Sequence, residues 1–169
     1  MKLFLLRHGI AVDHGTPGYE RDSERPLTAE GRAEMKQIAK AMGVLKLDFD
    51  LILSSPFVRA KETAEIVAHE LQLENKMAFS LNLRSGADNA KLVQELQAAH
   101  AKKNSILLAG HEPNLSALIS VLVSGDQSMA IDFKKGGFCK LVTDRLEYGR
   151  CAYLKWLMTP RQMIKISQS

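Results

Sequence analysis

Short apolar segments that alternate with amphipathic helical segments constrain the fold of this chain more than any other feature. Strand-length apolar segments lie at residues 2–6, 51–53, 77–81 and 105–109. Between them, apolar side chains recur at helical spacing, which is typical of parallel strands joined by crossover helices. Two further apolar segments, at 137–142 and 151–158, predict an antiparallel pair. We therefore predict an α/β fold, a three-layer α/β/α sandwich with a mostly parallel central sheet, built as a single domain over residues 1–169.

Capping signals mark some of the helix ends. Thr28 suits the N-cap of a helix over residues 29–42, and Gly43 suits its end. Asp88 or Asn89 can cap the helix that precedes the fourth strand segment. The residues after the last strand segment show no clear pattern, so no element is predicted there.

The first strand segment leads directly into an arginine, a histidine and a glycine, Arg7, His8 and Gly9. Loops beyond the carboxyl ends of parallel strands form the ligand crevice of α/β folds, so a cation and an imidazole at this place suit an anionic substrate. Gly9 permits close approach of the backbone to a ligand. The tripeptide alone also fits a buried arginine bonded to a backbone carbonyl and a histidine that fills space. Its interpretation therefore depends on residues elsewhere in the chain.

Two later strand ends supply matching residues. Arg59 lies about one turn inside the helix that follows the second strand segment, and His111 follows the fourth. Two guanidiniums provide permanently charged forks for phosphate oxygens, while two imidazoles provide a candidate nucleophile and a candidate proton donor or charge stabiliser. The set of Arg7, His8, Arg59 and His111 therefore predicts a site of phosphoryl transfer.

Charge and composition exclude several kinds of partner. The formal net charge of +4 favours anionic ligands, but the chain lacks the dense Lys/Arg stripe and interleaved aromatic residues of a nucleic-acid surface. No apolar run reaches the length of a membrane-spanning helix, and the first residues lack a signal-peptide cleavage region. Cys139 and Cys151 are isolated, so they predict neither a disulfide framework nor a zinc site. We expect a cytoplasmic protein that binds neither nucleic acid nor membranes.

The candidate residues belong to longer motifs that resemble the histidine phosphatase superfamily, also called phosphoglycerate mutase-like. The motifs are Leu5-Leu6-Arg7-His8-Gly9, Pro26-Leu27-Thr28 with Gly31-Arg32, Ser54-Ser55-Pro56 through Arg59-Ala60 to Glu62-Thr63-Ala64, and Gly110-His111. In this order and at this spacing they are strongly specific, and they extend over most of the first 115 residues. The short chain and Pro113 after Gly-His-Glu are similar to the compact SixA-type branch, the phosphohistidine phosphatases.

The resemblance implies a fold and a set of roles. It implies the phosphoglycerate mutase-like sandwich and a phosphatase that forms a transient phosphohistidine on His8. It further implies that Arg7, Arg59 and His111, together with Gly9, bind the transferred phosphoryl group, and that neither a metal nor another cofactor takes part. The expected partner is a phosphorylated substrate, in the first place phosphohistidine carried by a protein.

The acid that would protonate a leaving group is where this chain departs from the family. Many members carry a glutamate or aspartate there, whereas this chain has Asn82, and an amide cannot act as a carboxylic acid. Asp88 and Glu112 are alternative acids. An alkoxide needs a proton to leave, whereas the imidazole of phosphohistidine leaves more readily, so phosphohistidine is favoured over sugar phosphates. Two alternatives stay open: a small-molecule phosphomonoesterase or mutase on the same scaffold, and a phosphate-binding module without turnover.

Further candidates lie in the long polar segment over residues 10–26, and one, Arg84, lies after the third strand segment. His14 can contact substrate or be solvated, and Arg21, Arg25 and Arg84 can line the mouth of the pocket. The sequence does not decide between these possibilities.

Overall fold

The computed structural model describes residues 1–169 and contains six strands and five α-helices. The strands are β1 (Lys2–Arg7), β2 (Leu51–Ser54), β3 (Met77–Phe79), β4 (Ser105–Gly110), β5 (Phe138–Thr143) and β6 (Ala152–Met158). The helices are α1 (Ala29–Val44), α2 (Val58–Leu71), α3 (Asn89–Ala99), α4 (Asn114–Ser124) and α5 (Pro160–Ser167). Short 3-10 helices lie at Asp22–Glu24, Glu74–Lys76 and Leu81–Leu83.

The six strands form one mixed sheet in the order β3-β2-β4-β1-β5-β6. Strands β1 to β4 pair in parallel, while β5 is antiparallel to both of its neighbours, β1 and β6. In the register, Arg7 lies beside Gly110 and Ser54 lies beside Ala109. The carboxyl ends of three adjacent parallel strands therefore meet at one edge of the sheet.

Apolar side chains from the helices cover both faces of the sheet. One buried cluster joins residues of α1, α2 and α5, such as Ile38, Val67 and Met163, to one face. The other joins residues of α3 and α4, such as Leu96 and Leu118, to the opposite face. This arrangement confirms the predicted three-layer α/β/α sandwich with a mostly parallel central sheet.

The helix ends follow the predicted capping signals in two cases. The Thr28 hydroxyl accepts a hydrogen bond from the Gly31 amide at 2.9 Å, and Asp88 accepts from the Ala90 amide at 2.8 Å. The predicted end of α1 at Gly43 was wrong, because the helix continues to Val44. Both the start of α1 and that of α3 therefore agree with the sequence pattern, whereas the end of α1 does not.

The tail of the chain forms a helix, α5, for which no element was predicted. Thr159 caps it, since its hydroxyl and the Gln162 side chain bond reciprocally to each other's backbone amide. Pro160 follows directly at the first helical position. The buried side chain of Met163 then holds this helix against the sheet.

No helix of the protein is both long enough and apolar enough to cross a lipid bilayer.

Gly31 is required where α1 passes the backbone that leaves β1. A Cβ at this position would overlap the carbonyl oxygen of Ile10, which is main chain and has little room to move. The same carbonyl accepts a hydrogen bond from the Thr28 amide at 2.9 Å, so the start of α1 is tied to this backbone. The close approach fixes the loop after β1 against the helix.

We expect Gly31→Ala to lower the free energy of unfolding by about 1–3 kcal/mol, because the helix must shift away from Ile10. Urea denaturation measures the change. Gly43→Ala is the matched control in the same helix, since its Cβ would lie 3.6 Å from Leu71 Cδ2, an ordinary contact. A Gly31→Ala protein as stable as the Gly43→Ala protein would contradict the close approach.

Candidate active site

The structure brings all four predicted site residues together at the carboxyl edge of the parallel strands. Arg7 is the last residue of β1 and His8 follows it, His111 follows β4, and Arg59 lies in the first turn of α2. The imidazole centroids of His8 and His111 are 5.2 Å apart, and Arg59 Nε lies 3.2 Å from His8 Nε2. His8, Arg59 and His111 are 6%, 3% and 1% exposed, so the reactive groups sit in a site largely shielded from solvent.

The ring of His8 is held by two partners that fix its tautomer. Its Nδ1 lies 2.7 Å from the Gly9 carbonyl oxygen, which can only accept, so Nδ1 carries the hydrogen. Arg59 Nε, which can only donate, points at His8 Nε2. The lone pair of His8 therefore lies on Nε2 and faces the guanidinium of Arg59.

Thr63 joins the end of β1 to the first turn of α2. Its hydroxyl accepts a hydrogen bond from the Gly9 amide at 3.1 Å and donates to the Arg59 carbonyl at 2.7 Å. The Gly9 amide is therefore occupied by the protein, and its carbonyl orients His8. A direct contact of Gly9 with substrate stays a prediction.

The guanidinium of Arg7 is anchored on one side only. One terminal nitrogen donates to the Phe133 carbonyl at 2.7 Å, whereas the buried Nε has no hydrogen-bond partner within the protein. The Gly136 amide lies 3.1 Å from the carbonyl oxygens of both Arg7 and His8. The turn before β5 thus holds the Arg7-His8 backbone in place.

His111 is fixed by the hydroxyl of Ser55. The distance from His111 Nε2 to Ser55 Oγ is 2.9 Å, and Ser55 Oγ also accepts a hydrogen bond from the Phe57 amide. The hydroxyl hydrogen of Ser55 can thus go to His111 Nε2, which leaves the hydrogen of the ring on Nδ1. This buried Nδ1 has no partner within the protein, so it can donate to an oxygen of a bound anion.

Asp22 holds the guanidinium of Arg59 from the side of the loop over residues 10–26. Arg59 donates to the Asp22 carbonyl at 2.6 Å and to the Asp22 carboxylate at 2.9 Å. The other carboxylate oxygen accepts from Arg25 at 2.6 and 3.0 Å, and Arg25 also donates to the Val12 carbonyl at 2.7 Å. Burial raises the pKa of Asp22, but hydrogen bonds from Arg25 and Arg59 outweigh it and lower the pKa to about 2.

Both histidines are neutral at neutral pH. Burial is the main cause that lowers the pKa of His8 to about 3; the Gly9 carbonyl raises it, and His111, Arg59 and Arg7 lower it further. Burial also lowers the pKa of His111 to about 3, with Arg59 as the next cause. A neutral imidazole is the form that a nucleophile needs, so His8 has the protonation state that the sequence prediction requires.

Asn82 and the two carboxyl groups considered as leaving-group acids all have other partners. Asn82 donates to the Glu95 carboxylate at 2.7 Å, and Asp88 caps α3. Glu112 accepts from the Ser116 amide at 2.9 Å in the first turn of α4. None of these contacts joins a carboxylic acid to the histidines.

Of the other candidate residues, one contacts the site and three are exposed to solvent. Arg25 is part of the site through Asp22, with its side chain 15% exposed. Arg21 pairs with Glu24 in solvent, and Arg84 is exposed and bonded to the Leu81 carbonyl. His14 is also exposed. No group of three or more His, Cys, Asp or Glu side chains is placed to hold a metal ion.

Three further residues, Asp22, Ser55 and Thr63, contact the predicted site residues, and the sequence did not predict these contacts. Ser55 and Thr63 belong to the motif around Arg59, so their position beside a candidate residue was a usable signal. Asp22 contacts a residue 37 positions later in the chain, and loop residues have no periodicity that would indicate such a contact. Only the three-residue spacing of Asp22 and Arg25 hinted at a local ion pair.

Comparison with known proteins gives consistent matches. The family model for the histidine phosphatase superfamily (branch 1) matches residues 3–82. The phosphohistidine phosphatase SixA of Escherichia coli is 31% identical over 128 residues, which is 75% of this chain and 76% of the relative. An uncharacterized protein of a Picosynechococcus strain is 33% identical over 141 residues, which is 83% of this chain and 84% of the relative.

The structural match extends over nearly the whole chain. The structure of the protein histidine phosphatase SixA complexed with tungstate has a TM-score of 0.82 and 28% identity, and the match covers 96% of this chain and 99% of that one. The similarity to these histidine phosphatases supports a phosphatase activity. By sequence and by fold, the chain belongs to the histidine phosphatase superfamily.

Proposed function

We propose that this protein hydrolyses phosphohistidine carried by a protein, through a transient phosphohistidine on His8. The observation that supports this most directly is the fixed tautomer of His8, with its lone pair on Nε2 among two arginines and a second histidine. Retention of a nucleophile argues against a module that only binds phosphate. The proposal takes Arg7, Arg59 and His111 as the residues that bind the phosphoryl group.

In the first step, Nε2 of His8 attacks phosphorus in line with the scissile P–N bond. The Nε2–P bond forms, the bond to the substrate imidazole breaks, and that imidazole takes one proton from solvent as it leaves. The His8 ring gains positive charge, which the hydrogen bond from Nδ1 to the Gly9 carbonyl stabilises. Arg7 Nε and His111 Nδ1, which lack protein partners, are available to the equatorial oxygens.

In the second step, water attacks the phosphorus on His8. The P–O bond forms as the Nε2–P bond breaks, the water releases one proton to solvent, and inorganic phosphate leaves as HPO4²⁻. Nε2 recovers its lone pair and its contact with Arg59. His8 is thus returned to the neutral form in which it started, ready for another substrate.

The substrate class follows from the leaving group. No carboxylic acid contacts the histidines, and Asp22 is ionised, so the site offers no strong proton donor for an alkoxide. An imidazole leaves more readily than an alkoxide. Similarity to SixA of Escherichia coli, a phosphohistidine phosphatase by name, supports the same substrate class.

We further propose that residues 1–169 form one domain and act in the cytoplasm. Cys139 and Cys151 are both free, which suits a reducing compartment. Burial raises the pKa of the Cys139 thiol to about 12, so that side chain is inert. A cytoplasmic location would place the enzyme with phosphorylated proteins of that compartment.

His8→Ala is expected to lower phosphate release from a phosphohistidine peptide by about a thousandfold or more, because the covalent step is lost. Circular dichroism shows whether the variant is folded. The control is His69→Ala, since that side chain is 85% exposed on α2 and should leave turnover unchanged. A folded His8→Ala protein with normal turnover would overturn the nucleophile assignment.

The neutral histidines make stability depend on pH. Because the folded pKa values of about 3 lie below the ordinary value of 6.5, the unfolded chain binds more protons, and stability falls as the pH falls from 6.5 towards 3. Replacement of either residue, His8→Gln or His111→Gln, should reduce this slope by about 1.4 kcal/mol per pH unit. Urea denaturation at several pH values measures it, and a slope equal to that of wild type would contradict the burial of a neutral ring.

Turnover of phosphate esters should depend steeply on the leaving group. Across a series from aryl to alkyl phosphates, we expect kcat/KM to fall with each rise in the pKa of the alcohol, because the site lacks an acid to protonate it. Phosphohistidine should be hydrolysed much faster than any alkyl phosphate. Efficient hydrolysis of a sugar phosphate would instead favour the small-molecule phosphomonoesterase.

A further inference from the structure

Arg25 and Asp22 form an ion pair directly behind the guanidinium of Arg59. Asp22 bonds to two nitrogens of Arg59, through its carbonyl and one carboxylate oxygen, while Arg25 takes the other carboxylate oxygen with two nitrogens. The Arg59 side chain is 4% exposed and that of Arg25 is 15% exposed. The three side chains therefore form one continuous network from the nucleophile to the loop.

The nitrogens of the Arg59 guanidinium have different partners. Its Nε points to His8, whereas its terminal nitrogens are held by Asp22. A guanidinium held in this way presents its Nε edge to the phosphoryl group, because rotation about its bonds would break the contacts with Asp22. The anchor itself, however, brings a negative charge close to an anion-binding site.

Arg25 cancels that charge. The group of Arg59, Asp22 and Arg25 carries one net positive charge, whereas Arg59 and Asp22 alone would be neutral overall. The charges of both Asp22 and Arg25 reach His111, where they shift the pKa in opposite directions. Arg25 thus restores the attraction that Asp22 would otherwise remove.

We infer that Asp22 and Arg25 are a positioning pair for Arg59, in which Asp22 orients the guanidinium and Arg25 preserves its charge for the phosphoryl group. The inference rests on the proposed function, since it takes Arg59 as a phosphoryl ligand. Neither residue is catalytic, because both act through Arg59. The pair sets the affinity for the phosphoryl group from outside the pocket.

A second ion pair of the same kind serves as a control for the Asp22–Arg25 pair. Arg21 and Glu24 form a second Arg–carboxylate pair at the same three-residue spacing around the same short helix, Asp22–Glu24, but this pair faces solvent, with side chains 79% and 51% exposed. An exposed pair of this kind contributes little. Changes at Arg21 and Glu24 therefore report the effect of charge and helix alone, without contact to Arg59.

The test is a double-mutant cycle measured by inhibition with inorganic phosphate and by kcat and KM on a phosphohistidine peptide. We expect Arg25→Gln to raise the inhibition constant of phosphate by about fivefold, because Asp22 is left unneutralised. Adding Asp22→Asn to Arg25→Gln should reverse that loss, to within about twofold of Asp22→Asn alone. Arg25→Lys, which keeps the charge, should stay within about twofold of wild type.

The measurements distinguish failure of the positioning pair from failure of the proposed function. The Arg21→Gln and Glu24→Gln cycle should change neither constant by more than about twofold, and thermal unfolding shows whether each variant is folded. If the double variant binds phosphate no better than Arg25→Gln, or if Arg25→Gln has no effect, the positioning pair is overturned while turnover by the wild-type protein still supports the proposed function. If the wild-type protein neither hydrolyses the peptide nor binds phosphate, the proposed function fails and the inference fails with it.

Discussion

The fixed orientation of the His8 ring is the interaction on which the candidate site depends. Each nitrogen has a partner with only one possible role, a carbonyl that accepts and a guanidinium that donates. Thr63 joins these two partners, because it bonds to the Gly9 amide and to the Arg59 carbonyl. The end of β1 and the first turn of α2 therefore act as one rigid frame around the ring.

This frame places two arginines where burial opposes their charge. Burial lowers the pKa of both Arg7 and Arg59, and nearby carboxylates offset part of that cost. The same burial, together with the neighbouring cations, keeps the two imidazoles neutral. The site thus holds excess positive charge and two buried polar atoms without protein partners, an arrangement that a phosphoryl dianion would complete.

The sequence predicts the layers and most of the site because both follow from short-range patterns. Buried strands such as β1 and β4 are continuous apolar runs, and the residues just after them must lie at the sheet edge. Helix α5 was not predicted because eight residues are too few to show a period, although its capping box was present. The contact of Asp22 with Arg59 was not predicted either, since only the folded loop brings them together.

The pKa of Asp22 shows how this site acts on a carboxyl group that contacts Arg59. A carboxyl group that touches Arg59 has its pKa lowered to about 2, so near neutral pH it is a hydrogen-bond acceptor and not a proton donor. Any carboxylic acid close enough to reach a leaving group would feel the same guanidiniums and would need strong burial to stay protonated. Under the proposed function, a site without a protonated carboxyl group suits a leaving group that departs without a strong acid. Phosphohistidine meets that condition, and Asn82, bound to Glu95 away from the histidines, is consistent with it.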